Sequence, residues 1–455
     1  MKPGVHSRKI AVEILYKVFY SSAYSNLILN NALNNIELSN PDKNFIFCLV
    51  KGTIQHQYNI DSKISSLSKI KLTKLNKWLL NILRLSIFQI DEMPNINPAT
   101  IIDTSCELAK IFGHQGTVSF TNAVLRNYVR NKVIPQIQDI STDLIQEQNF
   151  IINKWQSEYS SDDFNNLMQW RLTKPKLTIR VNETNITSAG YAKILKNNHI
   201  NFRQGQIVDS CFDILNYQQV DNSLVKIATL PGYSENLFFV QDETSALACK
   251  VLEPQANDLI IDMCAAPGGK SLYLSELMNN SGKIISVDKN AARLKILTKT
   301  SKALEIKNIQ TLTCDILDFN YPILADKILL DAPCLGTGVV NKKPEIIVNK
   351  TKTDLENIIE LQRKLLTKAT SLVKPNGFIV YATCSLEREE NIENVAWFLK
   401  TFPQFKLSDF NHFLPSELVK SLGGNVGYIQ FVPYVTSNYN GFFIARFKYE
   451  NIDNS

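Results

Sequence analysis

No two of the eight cysteines in this 455-residue chain stand at C-x-x-C spacing, which removes the commonest zinc-ligand pattern; no metal is expected. Long apolar runs are missing too. The most hydrophobic stretch, Trp78 to Ile90, is short and interrupted by Arg84, so no membrane span is expected. The N-terminal MKPGVHSRKIAVEILYKVFY scatters charges among its apolar positions and shows no small-residue cleavage pattern. A secretory signal is therefore not expected, and the cytoplasm is the expected compartment. Internal repeats and low-complexity segments are absent, and so is G-x-G-x-x-G, which weakens the case for a nicotinamide cofactor. What remains is the composition of an ordinary soluble protein, 44% hydrophobic and 20% charged, long enough for several domains.

In such a setting the cysteines are expected to be reduced thiols. Cys48, Cys106, Cys211 and Cys249 lie in apolar surroundings and read as small buried hydrophobes. The net charge of +6 is uneven: residues 1–130 carry 15 Lys and Arg against 8 Asp and Glu, so the rest of the chain is close to neutral. Within that basic third, KISSLSKIKLTKLNK brings together Lys63, Lys69, Lys71, Lys74 and Lys77. The cluster reads either as a track for a phosphate backbone or as a solvated helix face.

Three parts are expected, over 1–135, 136–235 and 236–450. From Arg8 to Arg130 the pattern is helical, with Ile10, Ile14, Leu15 and Val18 on one apolar face. NPATIIDTSCELAKIFG has Asn97 as N-cap, Pro98 at the first helical position and Gly113 as the stop. A small α/β module follows, with short strands at Thr178–Val181, Ile200–Phe202, Phe212–Leu215 and Leu224–Ile227 and a helix from Ser188 to Lys196. The linker near Asn131–Ser141 is the expected boundary between these two. From Phe238 onward apolar strands at Leu259–Ile261, Lys283–Val287, Ile309–Thr313, Lys327–Leu330 and Phe378–Tyr381 alternate with helices. That predicts a doubly wound, mostly parallel, Rossmann-like sheet.

The ends of these strands carry the chemistry. After the first comes IDMCAAPGGKSLYLSEL, where Pro267, Gly268 and Gly269 allow a tight turn and a close backbone approach to a ligand at a helix N-terminus. The second strand ends in Asp288, twenty residues past Gly268, placed to accept hydrogen bonds from both hydroxyls of a ribose. Asp315 and Asp331 end the next two. Each aspartate alone reads equally as a helix cap after a strand; the ordered series points to an adenosine-containing cofactor. Two thiols stand on the same edge: Cys334 in DAPCLGTG and Cys384 in VYATCSLEREEN, the latter between a buried strand and what reads as the first turns of a helix. A thiol at a strand end is either filler or chemistry, and two beside one nucleotide pocket favour chemistry.

CAAPGGK, the DAPC segment and the TCS segment, in this order and spacing, resemble the RNA 5-methylcytosine methyltransferases of the Nol1/Nop2/Sun type. RKIAVEILYKV, DKNFIFCLVKGTIQHQYNID and FTNAVLRNYVR resemble the NusB fold, a helical RNA-binding domain. This fusion resembles the bacterial 16S ribosomal RNA methyltransferase B (Sun, or Fmu) group, whose target is of the cytosine(967)-C5 type. The resemblance runs from Arg8 to about Tyr449.

It implies S-adenosyl-L-methionine as cofactor and 16S ribosomal RNA as partner; the same chemistry on transfer RNA or another ribosomal cytosine, and a non-catalytic RNA-binding assembly factor, stand as alternatives, and a monomer is expected. The segment Cys264, Ala265, Ala266, Pro267, Gly268, Gly269 and Lys270 would cradle the methionine moiety, Asp288 the ribose and Asp315 the adenine. Asp331 would lie near the reacting centre, on the cofactor's amino group or on the cytosine ring. Attack falls to Cys384 and product release to Cys334. C5 of cytosine is too weak a nucleophile unaided, and a thiolate adding at C6 pushes electron density onto it. Most free thiols are protonated near neutrality, so the site is expected to favour the Cys384 thiolate, helped by a helix start just beyond. Arg180 and Asn182 in TIRVN match a segment that helps form the family's RNA-binding module. Two segments depart from the pattern: Asn341-Lys342-Lys343-Pro344-Glu345 stands where Arg-Arg-His-Pro-Asp is usual, and Asn440-Gly441-Phe442-Phe443 where Asp-Gly-Phe-Phe is.

Overall fold

The computed structural model describes residues 4–21, 24–34, 37–131, 150–215, 227–421, 426–436 and 438–450. Two compact units emerge: one from Met1–Lys174 with Val340–Lys352, the other from Pro175–Asp221, Val225–Val339 and Thr353–Ser455. The expected boundary near Asn131–Ser141 lies, apart from Asn131, outside the described residues, as does the expected strand at Leu224–Ile227 up to residue 226.

The first unit is helical: α1 (Val5–Tyr20), α2 (Ser25–Asn34), α3 (Asn40–Leu67), α4 (Lys77–Glu92), α5 (Pro98–Phe112) and α6 (Gln115–Asn131), followed by helices Phe150–Glu158 and Ser161–Trp170. Ile10, Ile14, Leu15 and Val18 are buried, as their spacing predicts. Helix α5 starts where Asn97 Oδ1 accepts from Ala99 N at 2.9 Å and stops at Gly113. Arg84, the charge that interrupts the apolar run of α4, is buried and donates through Nε and Nη2 to both oxygens of Asp61 at 2.7 Å each. Such a paired fork satisfies two ions that would otherwise be costly inside a core.

The lysine cluster differs from a helix face. Lys69, Lys71 and Lys74 are exposed around the short 3-10 turn Leu72–Lys74 between α3 and α4, Lys77 opens α4, and Lys63 is engaged with Asp91 at 2.7 Å. Cys48 is a correction: it is exposed on α3, on the outer face of a turn whose Ile46, Leu49 and Val50 are buried, while Cys106 is only half buried. Helix Glu345–Asn349 packs on α1 and α3. Glu345 is buried there, accepting from Ser25 Oγ at 2.8 Å and lying 3.6 Å from Lys51 Nζ. The segment that departs from Arg-Arg-His-Pro-Asp is thus anchored to the helical unit.

In the second unit, β1 (Leu177–Val181), β2 (Phe202–Gln204), β3 (Cys211–Ile214) and β4 (Phe238–Val240) form an antiparallel sheet in the order β2-β3-β1-β4, with helix Ser188–Asn197 contributing Tyr191 and Leu195 to its core. Phe238–Val240 therefore completes the small sheet instead of opening the large one. The large sheet has the order β10-β12-β9-β8-β5-β6-β7, from β5 (Leu259–Asp262), β6 (Lys283–Asp288), β7 (Ile309–Thr313), β8 (Ala325–Asp331), β9 (Val373–Thr383), β10 (Phe405–Leu407) and β12 (Phe442–Tyr449), with β11 (Tyr428–Phe431) also on β12. Strands β5 to β9 are parallel; β10, β11 and β12 pair antiparallel.

Ile260, Ile284, Leu329 and Val380 feed one core and Ile261, Ile285, Ile328, Leu330 and Ile379 another. Burial on both faces is why these strands read as continuous apolar runs. β5 pairs with β6 on one side and β8 on the other, so the order reverses there. Ligands of open α/β sheets bind at the carboxyl ends of strands at such a switch point.

Candidate active site

At the end of β5 the chain turns into helix Gly269–Leu277. Gly268 has φ +112°, a left-handed conformation, and a Cβ there would fall 2.6 Å from Leu297 Cβ, so only glycine fits. The turn is pinned to β6: Ala265 N donates to Val287 O at 3.0 Å and Ala266 N to Asp288 Oδ2 at 3.0 Å. Asn290 N donates to the other Asp288 oxygen at 2.8 Å. Each carboxylate oxygen keeps a further acceptor site, and the first N–H groups of the following helix have no intrahelical carbonyl to meet.

Lys270, at the second position of that helix, reaches Asp331 at the end of β8, Nζ to Oδ2 2.6 Å. Burial works against the ammonium charge, but Asp331 outweighs it and holds the Lys270 pKa above its ordinary value. Lys270 thereby orients Asp331, whose side chain stays one-third exposed. Asp315 is tied within its own turn, its Oδ1 accepting from Leu317 N at 3.0 Å.

The two thiols meet. Cys334, three residues past β8, and Cys384, directly after β9, have their sulfurs 3.2 Å apart. Strands β8 and β9 are parallel neighbours, Asp331 opposite Ala382, so both chains leave the sheet side by side. The Cys334 thiol is pushed well above its usual pKa, first by its hydrogen bond with Cys384 and then by burial. The helix expected just beyond Cys384 begins only at Ile392; residues 384–391 form a loop, and that helix start is too distant to act on the thiol through its first turn. The loop is held by Gly338, whose N donates to Cys384 O at 3.0 Å. Gly338 and Gly441 lie so close that a Cβ on Gly338 would fall 2.2 Å from Gly441 O and a Cβ on Gly441 2.5 Å from Gly338 Cα, which accounts for the glycine in Asn440-Gly441-Phe442-Phe443. Asn440 donates to Asp242 Oδ2 at 3.2 Å.

Arg180, in β1, and Asn182, just after it, are built into the small module itself. Arg180 is fully buried, bonded to Glu276 at 2.6 Å and Gln241 at 2.7 Å and stacked 4.0 Å from the Tyr273 ring centre. Asn182 is buried and donates to Asn236 O at 3.1 Å. Their polarity serves to join β1 to its neighbours.

Two buried carboxyls were not singled out from the sequence. Asp262, at the end of β5, accepts from Ser271 Oγ at 2.6 Å, and its Oδ1 has no partner among the described residues. Burial raises its pKa to about 7. Glu390, in the loop after Cys384, is likewise raised to about 7, chiefly by burial. An aspartate that closes an apolar strand gives the one signal that points to Asp262; Glu390 stands in a charged run, EREEN, that reads as solvated.

The model of the family described as 16S rRNA methyltransferase RsmB/F matches residues 249–448, that of the NusB family residues 5–130, and that of the RsmF/B-like ferredoxin-like domain residues 149–221. The chain is 31% identical over 407 residues to the probable ribosomal RNA small subunit methyltransferase B of Bacillus subtilis, covering 88% of this chain and 89% of that one. It is 34% identical over 227 residues to the tRNA (cytosine(72)-C(5))-methyltransferase of Pyrococcus horikoshii, covering 50% and 56%. The solved structure of the protein PH0851 shares the fold, with a TM-score of 0.76 at 24% identity over 97% of this chain and 99% of that one.

Fold and edge together define an S-adenosylmethionine-dependent methyltransferase of the RNA cytosine-C5 class. Within that class the chain belongs to the ribosomal RNA small subunit methyltransferase B family. Its residues fit the cofactor: the bare backbone at Gly268 and Gly269 admits a close ligand, the helix start offers N–H donors, and Asp288 keeps acceptor sites for ribose hydroxyls.

Proposed function

We propose that this protein methylates C5 of a cytosine in 16S ribosomal RNA, of the cytosine(967) type, with Cys384 as nucleophile and Cys334 as the group that assists release. The observation that carries the proposal is the 3.2 Å approach of two thiols at the ends of β8 and β9, beside the glycine turn. S-adenosylmethionine supplies an electrophilic methyl group. Cys384 Sγ would add to C6 of the cytosine, and the electron pair of the C5–C6 double bond would form the new C–C bond at C5 as the methyl group's bond to sulfur breaks and S-adenosylhomocysteine leaves. The C5 proton then leaves to a nearby base, its electron pair restores the double bond, and the C6–S bond breaks to return the Cys384 thiolate.

Gly268, Gly269 and Lys270 would hold the methionine moiety, Asp288 the ribose and Asp315 the adenine, while Asp331, oriented by Lys270, would face the cofactor amino group or the cytosine ring. The base must leave its stack to reach Cys384, and the basic 1–130 region would hold the surrounding RNA by its phosphates. We read the working unit as a cytoplasmic monomer that needs no metal.

Denaturing electrophoresis with RNA and S-adenosylmethionine tests the roles. Cys384→Ala should form no adduct, and Cys334→Ala should transfer the methyl group and then stall, covalently attached through Cys384. The reverse pattern would exchange the two roles. Bisulfite sequencing of ribosomal and transfer RNA from cells with and without the protein tests the target; a lost transfer-RNA methylation with intact 16S RNA would move the substrate to that class.

A further inference from the structure

We infer that Glu390 is a positioning residue that clasps the two thiol-bearing loops together and so sets the distance between Cys334 and Cys384. The inference rests on the reading of those thiols as the reacting pair. Glu390 is fully buried, and its two oxygens divide between the loops. Oε1 accepts from Ser385 Oγ, the neighbour of Cys384. Oε2 accepts from Leu335 N at 3.1 Å, the neighbour of Cys334, and from Gln362 Nε2 at 2.8 Å. The same Gln362 nitrogen donates to Pro333 O at 2.8 Å, on the other side of Cys334. Gln362 and Glu390 thus grip the residue before and the residue after that thiol.

Asn391 does the corresponding work for Cys384. Its Oδ1 accepts from Thr383 Oγ1 at 2.6 Å and its Nδ2 donates to Ser385 O at 2.9 Å. The clasp is itself anchored to β9, because Tyr381 Oη donates to Glu390 O at 2.6 Å. Neither cysteine lies within an element of secondary structure, and the carboxylate and two amides add to the Gly338 N–Cys384 O bond in fixing their positions. A displacement of about 1 Å between reacting groups can cost on the order of a hundredfold in rate.

The two arms need acceptors and a bridge, not a particular charge. In Glu390→Gln the remaining oxygen can still accept from Leu335 N and Gln362, and the new amide can donate to Ser385 Oγ, whose hydroxyl serves either way. Glu390→Ala removes the bridge between Leu335 N and Ser385 Oγ, while Gly338, Thr337 and Asn391 keep their own bonds to the Cys384 loop. The thiol spacing can be read without RNA or cofactor by phenylarsine oxide, whose arsenic joins two adjacent thiols through two As–S bonds with release of one water; Cys384→Ala identifies the signal from this pair.

Bridging in the full-length protein should be fast in wild type and in Glu390→Gln and at least about tenfold slower in Glu390→Ala. Turnover should follow: kcat should fall about a hundredfold in Glu390→Ala with the RNA KM nearly unchanged, and recover to within about tenfold of wild type in Glu390→Gln. Should Glu390→Ala fail to fold, Ser385→Ala cuts the Cys384 arm, together with that hydroxyl's bonds to Thr337 and Glu387, and should slow bridging in the same direction, while Thr337→Ser keeps the Thr337 bond as a control. Unchanged bridging in Glu390→Ala, or in Ser385→Ala where that variant stands in, would overturn the inference. So would a Glu390→Gln protein as impaired as Glu390→Ala, since the charge and not the bridge would then be what matters. The bridging assay involves no methyl transfer, so its failure counts against the clasp, whereas methylation that survives both cysteine substitutions counts against the reaction proposed for the thiols.

Discussion

In the helical unit Arg84 is met by both oxygens of Asp61, and the pair is closed. At the carboxyl edge of the large sheet Lys270 meets one oxygen of an Asp331 that is still one-third exposed, while Asp262 keeps an oxygen without a partner among the described residues. Both regions bury charge next to apolar strands or helices, yet one set is complete and the other is left open. A completed pair specifies packing. An open one holds acceptor sites at a cost in folding energy, and that cost is tolerated where a ligand binds.

The largest stability effect is expected from the closed pair. Asp61→Ala strands a buried guanidinium and should destabilise the protein by about 3–5 kcal/mol, seen as a lower urea midpoint, with methylation per folded molecule unchanged. Lost methylation in folded protein would mean that the bundle pair is not purely structural.

Asp262 should show the opposite character through pH. Its carboxyl holds its proton up to about pH 7 in the folded protein and releases it near pH 4 when unfolded. The stability it contributes is therefore complete below about pH 4 and is lost as pH rises to about 7, some 2–4 kcal/mol in order of magnitude. Asp262→Asn should flatten that part of the stability profile in urea titrations run across this range; an unaltered slope would show that Asp262 is already ionised when folded.

A smaller effect, confined to binding, is expected at the ribose position. Asp288→Ala should lower S-adenosylmethionine affinity at least about tenfold, or roughly 1.4–3 kcal/mol, by calorimetry. Unchanged affinity in a folded variant would remove Asp288 from the cofactor site. Smallest should be the loss of single surface charges: replacing Lys71 or Lys74 by Gln should reduce the salt slope of RNA binding by about 0.7–0.9 for each phosphate contact removed. A slope that does not move would return the turn between α3 and α4 to plain solvated surface.

The parallel strands and the glycine turn were legible because burial on two faces writes an apolar run and a tight turn demands glycine. Cys334 and Cys384 were legible as a pair only through their positions at two strand ends. Strand β12 was not read, since FFIARFKY carries Arg446 and Lys448; the fold buries Arg446 against Glu253, 2.6 Å away, and over the Phe378 ring. The same reason hid Glu390. Periodicity records which residues avoid water, but it cannot say which distant partner will satisfy a charge once inside. Cys48 failed in the other sense, because an apolar neighbourhood in sequence spans every face of a helix.

The close approach of Gly338 and Gly441 has a bearing on how the enzyme is made. Gly441 leads into β12, which pairs with β9 so that Phe443 stands opposite Thr383, the residue before Cys384. During synthesis β8, β9 and both thiols leave the ribosome well before β12 does. Until β12 arrives, β9 is an edge strand with unpaired backbone groups, and the turn that carries Gly338 lacks the surface it rests on. The nascent chain can thus carry both thiols before the strand that flanks Thr383 is in place.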